Sequence, residues 1–180
     1  MGQQVGLYRV RPEDFPIIKR ENSWQTVLRL ATGNVEFDGS FMALEFLLQK
    51  SELTQETADT LFYPSEVVAP NQLFEEFAFD TDEEANQLLD YYAGRITYTT
   101  PSACQALWNA LQQVSVDQLS SLYNSRELRD ADIYPTVWHD DERENQAFNR
   151  RHITQDYAAL RHFYEAAATF GEYIIGGVVW

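Results

Sequence analysis

The sequence predicts an α+β fold, with a small mixed or antiparallel sheet formed by N-terminal, central and C-terminal strands and covered by many helices. Three observations predict it. Strand-like segments sit at the chain ends and near residue 97, helical stripes and capping signals fill the intervals, and no repeat, low-complexity tract or linker divides the chain. With 180 residues, 44% of them apolar and 14% aromatic, the chain can bury a sizeable core. That excludes wholesale disorder and points to a single domain over residues 1–180.

The elements follow in order. Gln3 to Val10 alternates around Val5 and Leu7 and reads as a strand. Arg11-Pro12-Glu13-Asp14 opens a short helix, with Pro12 at a first-turn position and acids facing the positive helix end. Asn22 or Ser23 caps a second helix, which carries Trp24, Val27, Leu28 and Ala31 and is ended by Gly33. After the punctuation of Asp38-Gly39-Ser40, the nearly all-apolar run from Phe41 to Gln49 reads as a buried helix, with a buried strand as the alternative. Thr54 opens another short helix, and Tyr63-Pro64 and Ala69-Pro70 mark an irregular connection. Thr81-Asp82-Glu83-Glu84 is a capping box whose helix ends at Gly94.

Ile96-Thr97-Tyr98-Thr99 is β-branched and aromatic, hence a strand, and Thr100-Pro101 caps a helix bearing Leu107, Trp108 and Leu111. Ser115-x-x-Gln118 is a second capping box, and Asn124-Ser125 starts one more short helix. Ile153, Tyr157, Leu160, Tyr164 and Ala167 make a single apolar stripe over a helix from Thr154 to Thr169, which Gly171 stops. Glu172 to Trp180 is a terminal strand, expected to pair with the N-terminal strand or with Ile96–Thr99.

Charge is distributed unevenly. Residues 1–30 carry five basic and three acidic groups, residues 31–94 carry Lys50 alone against fourteen acids, and residues 95–180 carry seven basic against eleven acidic. Most of the net charge of −15 therefore belongs to the middle third. A field of this sign repels nucleic acid and anionic membrane surfaces and attracts cationic ones. No basic-plus-apolar leader and no apolar run of membrane-spanning length occurs, so a cytoplasmic protein without membrane association is expected. The lone Cys104 forms no internal disulfide and reads as a small buried hydrophobe.

The stretch Arg129 to Gln146 concentrates the residues best suited to chemistry. Tyr134 precedes Pro135 and is pushed extended, so Ile133, Tyr134, Val137 and Trp138 fall in a turn whose apolar groups need cover. His139 with Asp140 or Asp132 is the candidate acid–base pair, with Tyr134 beside it. A packed turn followed by a wet acidic surface is the simpler reading. His139-Asp140-Asp141-Glu142 lacks the spacing that converges oxygens on a cation, and His139, His152 and His162 lack zinc-site spacing. No metal or cofactor is expected. Nucleophile-elbow, dinucleotide and phosphate-loop motifs are missing as well.

A family resemblance rests on Tyr98-Thr99-Thr100-Pro101, on Ala110-Leu111 through Ser115-x-x-Gln118-Leu119 and Tyr123, and on Asp132-Ile133-Tyr134-Pro135-x-x-Trp138. Met1-Gly2 with Gly6 and Tyr8, the Trp24-to-Gly33 helix, and the helix-then-strand ending after Phe163-Tyr164 agree with it. Together they resemble the domain of unknown function 1877 family, the YfbM-like group of small bacterial proteins. The likeness covers roughly residues 1–33 and 95–180 and is poor through 34–94, an acidic region that is expanded here. It implies an α/β fold and bacterial origin, and no activity.

The functional expectation is a non-catalytic interaction module whose acidic face binds a basic protein partner, one version being an immunity-type protein that neutralises a cationic toxin. Glu75, Glu76, Phe77, Phe79, Asp80, Asp82 and Glu83 mix acids with aromatics and are the partner-binding candidates. The alternative is a small hydrolase or transferase with its site near Tyr134, Trp138 and His139.

Overall fold

The N-terminal strand β1 (Gln4–Val10) lies between two antiparallel partners, β2 (Gly33–Asp38) and the C-terminal β5 (Tyr173–Val179). This computed structural model describes residues 4–51, 53–68, 95–144 and 146–179. The strands β4 (Thr97–Thr99) and β3 (Glu66–Val67) complete an antiparallel sheet in the order β2-β1-β5-β4-β3. The terminal strands thus pair with each other, the C-terminal one also pairs with the central strand, and the architecture is α+β.

Alternation along β1 sends Val5 and Leu7 to one face and Tyr8 and Val10 to the other. The first face packs against α3 (Phe41–Lys50), α4 (Gln55–Phe62), α5 (Pro101–Leu111), α6 (Val116–Leu122), α7 (Ser125–Asp130) and the long α8 (Arg150–Phe170), in one buried cluster with Phe37 and Ile174. The second face packs against α1 (Phe15–Glu21) and α2 (Trp24–Leu30), through Phe15, Ile18 and Val27 on Val10, Tyr98 and Ile175.

The helix signals have physical counterparts. Thr54, Thr100, Ser115 and Asn124 each accept a backbone N–H at the start of α4, α5, α6 and α7. Gly171 ends α8 in the left-handed conformation at φ 63°, which glycine adopts without a Cβ penalty. The expected stripe of α8 is buried from Ile153 to Ala167.

Three expectations are corrected, and β2 is a strand the sequence reading lacked. Pro16, not Pro12, occupies the first turn of α1, and Arg11–Asp14 is a turn. Helix α2 stops at Leu30, and Gly33 opens β2 instead of ending the helix. The alternation of Val35 and Phe37 with Asn34, Glu36 and Asp38 is that of a strand half covered by helices. The long helix begins at Arg150, earlier than Thr154, because Asn149 Oδ1 accepts the His152 N–H at 2.9 Å. The expected helix from Thr81 to Gly94 lies outside the described residues.

Two glycines, Gly176 in β5 and Gly171 at the end of α8, separate packing from backbone effects. A Cβ on Gly176 would come within 2.7 Å of the Pro64 ring, whereas one on Gly171 would meet nothing within 4 Å. Gly176→Ala is expected to cost about 1–3 kcal/mol through overpacking. Gly171→Ala is expected to cost about 1 kcal/mol through its positive φ alone. Urea unfolding midpoints measure both, and equal losses would contradict the packing argument.

Candidate functional site

The stretch from Ile133 to Asn149 folds back onto α7 and the start of α8, and its polar atoms are taken up by that packing. Trp138 is buried, donates its indole N–H to the Ile133 carbonyl at 2.8 Å, and meets Phe148 edge-on at 5.5 Å between ring centres. Tyr123 donates its hydroxyl to the His139 carbonyl at 2.8 Å, and the His139 N–H donates to the Phe148 carbonyl at 2.9 Å. Burial, followed by the nearby Asp140 charge, pushes the Tyr123 hydroxyl up to about 12. Arg129 donates to the Trp138 carbonyl and to Ser125 Oγ, which in turn donates to the Asp140 carboxylate.

The sequence candidates are therefore not drawn into one constellation. Asp140 is held by Ser125, Asp132 is exposed, and Tyr134 rests beside Gly39 at 36% exposure. The His139 ring is half-buried and, among the described residues, makes no hydrogen bond to Asp132 or Asp140. The apolar knot divides: Trp138 is core, while Val137 is 50% exposed. Among the described residues, no three His, Cys, Asp or Glu side chains are grouped so as to hold a metal ion.

The arrangement gives His152 closer polar partners than His139, which its sequence position beside Arg150 and Arg151 did not advertise. Its Nδ1 accepts the Phe148 N–H at 3.0 Å, and its Nε2 stands 3.3 Å from Asp156 Oδ2, one turn along α8. Nδ1 as acceptor leaves Nε2 as the protonated nitrogen. Burial raises the Asp156 carboxyl, against the opposing pulls of Ser40 and His152. The buried Ser40 hydroxyl approaches Asp156 without completing a well-formed hydrogen bond. A recess of about 260 Å³ adjoins this pair, lined by Arg143, Gln146, Asn149 and Arg151.

A second polar feature lies at the far end of the sheet. Arg9 and the buried Glu172 form an ion pair at 3.4 Å, and the Thr32 hydroxyl donates to Glu172 at 2.7 Å. A cavity of about 400 Å³ opens beside it, between Arg11, Glu13 and Phe170. The contacts tie the end of α8, β1 and the start of β2 together.

The acids of the middle third behave differently from the rest. Glu36, Asp38, Glu45, Glu56, Asp59 and Glu66 are the described ones, and among the described residues no ion pair involves any of them. Nine of the fourteen acids outside residues 31–94 do have an arginine, lysine or histidine within ion-pair distance, so the cations serve the rest of the molecule. The six do not share one face. Glu36 and Asp38 are on one edge strand, Glu66 on the opposite edge strand, and Glu45, Glu56 and Asp59 on α3 and α4. The partner-binding candidates Glu75, Glu76, Phe77, Phe79, Asp80, Asp82 and Glu83 lie outside the described residues.

A model of the family described as Domain of unknown function (DUF1877) matches residues 1–176. The chain belongs to the DUF1877 family. Its fold is similar to the crystal structure of YfbM, a protein of unknown function from Escherichia coli, with a TM-score of 0.59 at 17% identity. That match covers 99% of this chain and 100% of YfbM, and at such identity it speaks for the fold alone. No curated protein matches the chain. No described helix of this DUF1877 protein is long and apolar enough to cross a membrane.

Within the acidic set, Glu45 carries a pH signature. Burial, followed by the Asp59 charge, pushes its carboxyl up to about 8, and its buried Oε1 has no hydrogen-bond partner among the described residues. Below the ordinary carboxylate value of 4.5 the group is protonated in both the folded and unfolded chain. Between 4.5 and about 8 the unfolded chain is ionised and the folded one is not, so stability falls as pH rises through this window. Melting temperature is expected to decline from pH 5 to pH 9 more steeply in the wild type than in Glu45→Gln. Parallel profiles for the two proteins would contradict the assignment.

Proposed function

We propose that this DUF1877 protein is a non-catalytic interaction module whose negative central third draws in a basic protein partner. The observation that carries the reading is the uneven pairing of its acids. Apart from Glu45, which burial keeps protonated near neutral pH, the described carboxylates of residues 31–94 are left charged without internal cations, while most acids elsewhere have them, so the field of the middle third is left for something outside the chain. Steering of this kind raises association rates and is screened by salt. In this reading Glu75, Glu76, Asp80, Asp82 and Glu83 extend the field, and Phe77 and Phe79 supply the desolvated grip.

The competing reading, a small hydrolase or transferase around Tyr134, Trp138 and His139, has less behind it. Its candidate base makes no described hydrogen bond to a carboxylate, and the backbone around it serves packing.

Affinity capture from the native host at low and at moderate salt tests the proposal, followed by association kinetics on the captured protein. The expected result is a partner of basic composition, with an association rate that falls about tenfold or more as salt is raised. A captured set with no basic bias, or a salt-independent rate, would overturn it.

A further inference from the structure

On the α2 side of the sheet, the two central strands meet at a bare backbone. Gly6 of β1 pairs directly with Gly177 of β5. A Cβ on Gly177 would lie 2.4 Å from the Trp24 ring, and one on Gly6 would lie 3.1 Å from the Tyr8 ring. The two rings therefore stand on the strands themselves, with no side chain between. Their centres are 5.9 Å apart and their planes are inclined at 61°, which makes a corner of two aromatic walls. Leu28, one helical turn after Trp24 and 57% exposed, forms a third wall.

Glu36 of β2 closes the recess on its open side. The Tyr8 hydroxyl donates to Glu36 Oε1 at 3.0 Å, and Asn34 Nδ2 donates to the same oxygen at 3.4 Å. The second carboxylate oxygen is left without a described partner, at the mouth of a recess of about 250 Å³. Burial and Glu36 together raise the Tyr8 hydroxyl, consistent with a phenol that stays protonated and holds the carboxylate in place.

We infer that this recess is a cation seat, built for the ammonium head of a lysine side chain carried by a protein partner. Tryptophan and tyrosine faces attract a cation within about 6 Å, and a carboxylate at the rim supplies the countercharge. At about 250 Å³ the recess is of a size to take one side chain. A corner of inclined rings fits a compact tetrahedral ammonium, whereas a planar guanidinium stacks best on a single flat face. The inference deepens the basic-partner reading and rests on it, since it names which partner group is gripped.

The test uses the full-length protein and three peptides of one sequence, carrying lysine, arginine or norleucine at a single central position. Indole and amide NMR shifts report which residues are touched, and titration gives affinity. The lysine peptide is expected to move the Trp24 indole and the Gly6 and Gly177 amides. It should bind about tenfold tighter than the norleucine peptide, and lose most of that margin in Glu36→Gln. Glu36 is exposed, so this variant leaves the fold intact, and Trp24→Leu adds a second check with the circular dichroism melt compared alongside. Equal binding of the norleucine or arginine peptide would overturn the seat. Lysine-peptide binding with affinity unchanged in Glu36→Gln and Trp24→Leu would overturn it while leaving the basic-partner reading standing. No salt-sensitive binding of either basic peptide at any site would count against both.

Discussion

The antiparallel pairing of β1 with β5 is the constraint on which the rest of the structure depends. Seven residues at the start of the chain bond in register with seven near its end, Gln4 opposite Val179 through Val10 opposite Tyr173. Closing so long a loop is entropically costly, and the gain comes from what the pair then organises. Its alternation places Leu7 and Ile174 under the large helical layer, and Val10 and Ile175 under α1 and α2. The other three strands extend the sheet outward from this pair, β2 on one side and β4 with β3 on the other. The bare Gly6–Gly177 floor belongs to this register too, in which the two glycines stand directly opposite one another.

Polar chemistry in the molecule divides into two kinds. In the loop between α7 and α8, the hydroxyls and guanidinium of Tyr123, Ser125 and Arg129 bond to backbone or to Asp140, which fixes an irregular segment over the core. Arg9, Thr32 and Glu172 do the same at the opposite end of the sheet. The loop groups stabilise by being satisfied, whereas a buried ion pair such as Arg9–Glu172 adds little to stability. The carboxylates of residues 31–94 are of the other kind. Glu36 is held by Tyr8 and Asn34 without a described cation, and Glu45 is half-buried with an oxygen that has no partner among the described residues. Acids left ionised without a cation, as Glu36 is, weaken a folded state through self-repulsion, whereas Glu45 is kept neutral by its burial.

Much of the fold was legible because its signals are local. Caps at Thr54, Thr100, Ser115 and Asn124, the stripe of α8 and the β-branched ends all act within a few residues of where they are read. Strand β2 was hidden by its glycines: Gly33 reads as a helix stop and Asp38-Gly39 as punctuation, although the five residues between Gly33 and Gly39 alternate cleanly. Strand β3 has two residues, too few for any periodicity, and exists through its pairing with Tyr98 and Thr97. The Tyr134–His139 segment was read mainly as packing, and Trp138 bears this out, but the division between buried Trp138 and exposed Val137 depends on α7 and α8, which no local pattern contains. The recess of Tyr8, Trp24 and Glu36 draws on β1, α2, β2 and β5, so its parts are scattered in sequence and were read singly: Trp24 within a helix, Gly6 and Tyr8 in the family resemblance, Glu36 among the acids of the middle third.

Native-state hydrogen exchange tests the central claim most directly. If the β1–β5 pair holds the molecule together, the amides of Val5–Arg9 and Tyr173–Gly177 exchange only through global unfolding, at the slowest rates in the protein. Exchange of those amides while α8 stays protected would show that the helical layer stands without the terminal strands, and would contradict the account.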